Sequence, residues 1–245
     1  MLSKNKIKFI KSLQQKKFRV ESQKFIVEGR KGVLSLLNSS FKVDEVYCSE
    51  KISKDHPKIL ELQPCIVAEN DLEKSTGLKS NKEAIAIVNF NKSSEINWDN
   101  LILYLDGVSD PGNLGTIIRT ADWFGIQQIV CSTDCVEFYN PKVIQSTMGS
   151  FSSIIPIVME AEDFLKNKPK KTKVYVTDFE GDSPEILKGV QAGVIVMGSE
   201  SHGVSEVWYQ SEHQKITIPS STESNTESLN VAIATSILCY QIKQG

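Results

Sequence analysis

Nothing in this 245-residue chain is long and apolar enough to cross a bilayer. Its first stretch, MLSKNKIKFIKSLQQKK, lacks the apolar core of a signal peptide. Both absences lead to the expectation of a cytoplasmic protein with no membrane partner. Cysteine is sparse: Cys48, Cys65, Cys131, Cys135 and Cys239 are odd in number and scattered, with no C-x-x-C. That usage fits reduced thiols rather than a disulfide framework. Cys131 and Cys135 are spaced like half a zinc site, but no second Cys/His pair follows, so buried apolar cysteine is the expectation, with no metal. His56, His202 and His213 stand alone, without a metal-ligand or triad context. The G-x-G-x-x-G and G-K-[ST] phosphate fingerprints are missing, which speaks against an enzyme using dinucleotides or nucleoside triphosphates. A net charge of −2 argues against indiscriminate coating of nucleic acid.

What is present is ordinary globular composition, 40% hydrophobic and 24% charged, with one uneven feature. Between Lys4 and Lys24 there are eight basic residues against one acidic residue, Glu21. Such a patch is either a solvated helix face or a set of phosphate contacts. Short apolar runs alternate with helical patterns along the chain. A helix is expected over 3–17, with Ile7, Ile10 and Leu13 on one side. FIVEG reads as a strand and turn, 31–38 as a helix, and 43–48 and 84–90 as strands. The polar stretch NKSSEINWDN, 91–100, reads as a linker. From Leu101 the strand and helix alternation sharpens, which predicts a mostly parallel sheet with helices on both faces.

The stretch DGVSDPGNLGTIIRTADWFG, 106–125, follows the apolar strand LILYL. Asp-Pro-Gly is turn chemistry, while Leu114, Ile117, Ile118, Ala121 and Phe124 recur at helical spacing. Strand, glycine-bearing loop and helix together aim backbone N–H groups and a helix dipole at whatever lies above the loop. Arg119 falls off the apolar stripe, one turn after Gly115. Two further loops, GSESHGVS and IPSSTESNTESLN, also follow predicted strands. Ligands of parallel sheets bind beyond the carboxyl ends of strands. The final segment, SLNVAIATSILCYQI, predicts a helix apolar on nearly every face. Such a helix belongs in a core and in a subunit interface. Asp106 and Asp110 read as structural turn residues, and Trp98, Trp123 and Trp208 as packing.

Those three loops, in this order, resemble the signature motifs of the SpoU-type (TrmH-like) RNA ribose 2′-O-methyltransferases of the SPOUT superfamily. The matches are Asn113-x-Gly115-x-x-x-Arg119, then Gly198-Ser199-Glu200 with Gly203, then Ile218-Pro219 and Ser228-Leu229-Asn230-Val231. The resemblance covers 101–245. The preceding residues 1–92 are similar to the small α/β substrate-binding domain that precedes the catalytic domain in many members, with 93–100 as linker. The third loop departs from the pattern: SSTESNTE is long and lacks an expected glycine, and Ala232 stands where many members have serine.

The resemblance implies a C-terminal trefoil knot, a homodimer through the knot region and last helix, and S-adenosylmethionine as cofactor. It implies Arg119, Asn113, Glu200, Ser228 and Asn230 as catalytic residues, with Gly198, Ile218, Leu229 and Thr177 at the cofactor. Lys16, Lys17, Arg19 and Arg30 are the expected RNA contacts. The implied activity is methyl transfer to the ribose 2′-hydroxyl of guanosine or uridine in RNA. Large-subunit ribosomal RNA is favoured as the substrate. Transfer RNA, or a non-catalytic RNA-binding module of the same fold, stays open as the alternative. A guanidinium keeps its proton, with a pKa above about 12, so Arg119 is expected to clamp and polarise rather than act as a base.

Overall fold

The structure is a computed structural model that describes residues 2–221 and 223–244. It divides into two compact units, residues 1–92 with 137–152, and residues 93–136 with 153–245. Among the described residues no helix is long and apolar enough to cross a membrane.

The first unit opens with two helices, α1 (Lys4–Ser12) and α2 (Lys16–Ser22), where a single helix over 3–17 was expected. Ser3 caps α1 by accepting from the Lys6 N–H at 3.2 Å. The interruption has a physical cause in Arg19, whose Nη1 donates to Leu13 O at 2.9 Å and Gln14 O at 2.8 Å. A cation thus satisfies carbonyls that the end of α1 leaves unpaired. Ile10 and Leu13 are fully buried, as their spacing predicts. The strands β1 (Lys24–Glu28), β2 (Val43–Cys48), β3 (Cys65–Ile66) and β4 (Ala84–Asn89) form a sheet in the order β1-β4-β2-β3. Strand β4 runs antiparallel to both neighbours, and Ala84 to Val88 are all at zero exposure, as a central strand of an apolar run should be. Helices α3 (Arg30–Ser35), α4 (Glu50–Asp55) and α5 (Glu69–Ser75) complete this part. Sequence reading did not anticipate α4, a single polar helix capped by the Ser49 hydroxyl.

The second unit is a six-stranded, all-parallel sheet. Its strands are β5 (Leu101–Asp106), β6 (Gln128–Cys131), β7 (Ile157–Val158), β8 (Val174–Asp182), β9 (Gly193–Gly198) and β10 (Gln214–Ile216), in the order β10-β8-β9-β5-β6-β7. Helix α6 (Pro111–Phe124) follows β5. Between β6 and β7 the chain contributes α7 (Pro141–Ser146) to the first unit, capped by Asn140 ahead of Pro141. Helices α8 (Ala161–Asn167), α9 (Glu206–Tyr209) and α10 (Val231–Ile242) complete the second unit. Ile102, Tyr104, Val194 and Val196 pack with Phe164 of α8 and Trp208 of α9. The alternate residues Leu103, Leu105, Ile195 and Met197 are buried on the opposite face, the side of α6 and α10. Both faces are therefore covered, which is why these strands are apolar throughout. Each such aliphatic side chain contributes about 1.5–3 kcal/mol on burial.

Grouping by packing differs from grouping by chain order. Residues 137–152 lie within the sequence expected to form one C-terminal domain, yet they pack with the N-terminal residues. Tyr139 stacks on Phe90 with ring centres 4.0 Å apart, and Phe151 is fully buried beside Phe25 and Phe41.

Candidate active site

The chain-breakers after LILYL turn out to build a helix start. Gly107 takes φ +73°, which only glycine adopts without strain, and its N–H donates to Ser132 Oγ at 2.9 Å. Asp110 is the N-cap of α6, accepting from Asn113 N at 2.8 Å, and Pro111 fills the first turn, where no N–H is needed. Asp106 and Asp110 are structural, as expected. Asp106 does more than turn the chain: its Oδ2 accepts from the N–H and the hydroxyl of Ser205, at 2.8 and 2.7 Å. This joins the first loop to the end of the second.

The second loop closes on itself through reciprocal backbone bonds of Ser199 and Gly203, at 2.9 and 3.0 Å. A Cβ on Gly198 would stand 2.2 Å from the Gly203 carbonyl carbon, so the closure demands glycine there. Gly203 itself sits at φ +67°.

The third loop ends at α10, and here one expectation is corrected. Asn230, placed by sequence reading inside the helix, is its N-cap, with Oδ1 accepting from Ala232 N and Ile233 N at 3.0 and 3.3 Å. Ser228 is exposed and makes no side-chain hydrogen bond among the described residues. Asn230 Nδ2 donates to Glu200 Oε1 at 2.6 Å and to Asn113 Oδ1 at 2.9 Å, and Asn113 Nδ2 donates to Glu200 Oε1 at 3.1 Å. Val231 N reaches the same Glu200 oxygen at 3.4 Å. One residue from each loop thus closes a three-membered network. The Glu200 carboxylate lies at the N-terminus of α10, where the helix dipole favours negative charge.

Arg119 is exposed on α6 and has no hydrogen-bond or ion-pair partner among the described residues. Its guanidinium is not consumed by the fold. Gly198 and Ile218 are half-buried, at and just beyond the ends of β9 and β10, and Leu229 is exposed one residue before the cap. Thr177 is half-buried and donates its hydroxyl to Val196 O at 2.9 Å.

The support beneath the first loop leaves no motif in the sequence. Cys135 Sγ accepts from Val108 N and donates to Leu105 O, both at 3.2 Å. A hydrogen bond from Cys131, aided by Ser132 and the Val108 N–H, pulls the Cys135 thiol down to about 7 against its burial. The same pairing, with burial, pushes Cys131 well above the usual thiol range. Cys131 is buried, as expected, whereas Cys135, of which the same was expected, is only half-buried; Cys48 and Cys239 are buried and Cys65 is exposed.

The expected RNA contacts belong to the first unit. Lys16 and Lys17 are exposed at the start of α2. Arg30 is half-buried, with Nη1 2.7 Å from His56 Nε2. Arg19 requires correction: it is 2% exposed, and its Nη2 is 2.7 Å from Glu137 Oε2. With Leu13 O and Gln14 O also on Nη1, that guanidinium is committed to the interior and is not free for a phosphate.

Residues 100–240 match the SpoU rRNA Methylase family, and residues 4–86 match the MRM3-like substrate binding domain. The chain is 27% identical over 240 residues to the 23S rRNA (guanosine(2553)-2′-O)-methyltransferase RlmP of Bacillus subtilis, covering 97% of this chain and 96% of that protein. A TrmH-family structure from Porphyromonas gingivalis superposes with a TM-score of 0.86 at 32% identity, covering 100% of this chain and 99% of the other. An AdoMet-bound rRNA methyltransferase from Sinorhizobium meliloti gives a TM-score of 0.85 at 26% identity, covering 99% and 96%.

Proposed function

Because the chain belongs to the SpoU rRNA methylase family, we propose that it methylates a ribose 2′-hydroxyl in ribosomal RNA, with S-adenosylmethionine as donor. The observation that carries this reading is the joining of Asn113, Glu200 and Asn230, from three separate loops, at the carboxyl ends of the parallel strands. A guanosine target follows the activity named for the Bacillus relative.

The donor set fits the cofactor. The glycine-closed loop at Gly198–Gly203 offers backbone groups, while Ile218, just beyond β10, and Leu229, one residue before the α10 cap, offer apolar surface. Gly198, Ile218, Leu229 and Thr177 are the residues we assign to holding it. When bound, S-adenosylmethionine supplies an electrophilic methyl group on a sulfonium. The protein has to align the ribose oxygen, offset charge and hold the loops still. Arg119 is assigned to the ribose and its phosphate, a role its unpaired planar fork suits. Asn113, Glu200 and Asn230 position the loops, and Ser228, exposed beside them, is assigned to the substrate side. Lys16, Lys17 and Arg30 are assigned to RNA phosphates. By this reading 1–92 serves to bind substrate and 101–245 to methylate, with the C-terminal strands and α10 threaded as a trefoil knot.

A homodimer belongs to the same reading. On α10, Ile233, Ile237 and Tyr240 form an exposed apolar stripe at helical spacing. The adjacent α6 touches α10 through Thr120 and Ser236 and carries Trp123, 84% exposed. A single copy leaves this surface in water. Sedimentation at micromolar concentration should show a dimer that Ile237→Asp converts to monomer; a monomeric wild-type protein overturns this part.

The function is tested by incubating the purified chain with S-adenosylmethionine and unmodified 23S rRNA transcript, then mapping ribose methylation. One new 2′-O-methyl nucleotide is expected. Methylation of transfer RNA alone moves the substrate assignment, and no transfer to any RNA refutes the enzyme.

A further inference from the structure

Strand β8 contains an interruption in its pairing with β10. Its partner β10 pairs Lys215 with Val176 and the very next residue, Ile216, with Asp182. Residues 177–181 are therefore looped out of the ladder between two adjacent rungs. The loop is firmly held. At its far foot, Thr217 N donates to Asp182 O at 3.0 Å and Gln214 Nε2 to Asp182 Oδ2 at 2.9 Å. At its centre the Asp178 carboxylate accepts from Phe179 N at 2.6 Å, Tyr209 OH at 3.0 Å and Lys215 Nζ at 2.8 Å. Burial opposes the charge of Asp178, and these donors more than offset it, so its carboxyl lies below the usual range. A Cβ on Gly181 would stand 2.6 Å from the Lys215 carbonyl carbon, so only glycine lets the loop close this tightly.

This bracing leaves the Phe179 ring in water, next to the exposed Glu180. Phe179 is 75% exposed, while its own carbonyl accepts the Thr217 hydroxyl at 3.0 Å. Thr217 precedes Ile218, and Phe179 lies two residues beyond Thr177, two of the positions assigned to the cofactor. In the sheet, β8 lies between β10 and β9, with Gly198 ending β9 and Ile218 two residues beyond β10. Phe179 thus follows the carboxyl end of the β8–β9 pairing, and its backbone is tied to Thr217, the neighbour of Ile218. Exposing an apolar ring on a braced loop gains nothing for stability. It does provide a flat face at low entropic cost for a planar partner.

We propose that Phe179 is a stacking platform for a base of the RNA substrate. The substrate of an RNA-modifying site brings unstacked bases to its mouth. The proposal rests on the methyltransferase reading, but its test does not need turnover.

Binding of a 23S rRNA transcript and of S-adenosylmethionine should be measured separately for the wild type, Phe179→Ala and Phe179→Trp. Loss of one stacked base should weaken RNA binding about tenfold in Phe179→Ala. S-adenosylmethionine affinity should stay within about twofold of the wild type, which also reports an intact fold, and Phe179→Trp should restore RNA binding. Where turnover is measurable, the loss should fall on KM and leave kcat nearly unchanged. Unchanged RNA binding in Phe179→Ala overturns the proposal. So does a loss confined to S-adenosylmethionine, which would make the ring a cover for the cofactor. A wild-type protein that binds RNA but transfers no methyl group refutes the parent reading and leaves this comparison standing.

Discussion

Arg119→Ala is expected to lower kcat for ribose methylation by about 10²–10³-fold, the usual loss when a preorganised charge at a reacting centre is removed. The expected effect on stability is near zero, because Arg119 is exposed and makes no bond within the fold among the described residues. This separation makes the variant informative. Thermal unfolding should be unchanged, S-adenosylmethionine should bind normally, and single-turnover transfer of labelled methyl should nearly cease. Arg119→Lys keeps the charge but loses the bidentate fork, so partial recovery is expected. If Arg119 were instead the base that takes the 2′-hydroxyl proton, Arg119→Lys would show a new pH dependence near the lysine range. A clamp shows none, since guanidinium and ammonium both stay charged below pH 9. Full activity in Arg119→Ala removes this arginine from the mechanism.

Several of these features were legible in the residues and several were not, for physical reasons. Strand and helix periodicity located β5, α6, β9 and α10 because each is buried against a continuous core, and burial writes itself into apolar spacing. The loops at strand ends were visible through glycine, proline and aspartate. The pairing of Asn113, Glu200 and Asn230 was expected only as a family pattern, since contacts between residues 87 and 117 positions apart leave no local signal. Arg19 shows the limit most clearly. It lies in a lysine-rich stretch and reads as a phosphate contact, yet it is buried against Glu137, a partner 118 residues away. The packing of 137–152 with the N-terminal residues was hidden for the same reason, as chain order suggested a boundary that tertiary contact ignores. The bulge at 177–181 was invisible because it is defined by a register between two strands, not by composition.

Asn230 should be the most sensitive polar position in the second unit, because one side chain does two separable things. Its Oδ1 caps α10, and its Nδ2 holds Glu200 and Asn113. Asn230→Ala removes both. Loss of the cap costs about 0.5–2 kcal/mol. Loss of the hydrogen bonds to the exposed Glu200 and to Asn113 adds about 0.5–1.5 kcal/mol, since water replaces the donor. A drop of about 1–3 kcal/mol in unfolding free energy is therefore expected, together with loss of methyl transfer. Asn230→Asp separates the two roles. A carboxylate caps a helix as well as an amide does, so stability should largely return. It has no N–H to give, however, and it faces the Glu200 carboxylate at the former hydrogen-bond distance of 2.6 Å. Like charges so close raise one carboxyl pKa. Methyl transfer should stay low at neutral pH and recover in part as acid protonates the pair and restores a shared hydrogen. A near-normal Asn230→Asp enzyme at neutral pH would mean that the three loops need only the cap, and that the joined network does not hold the site.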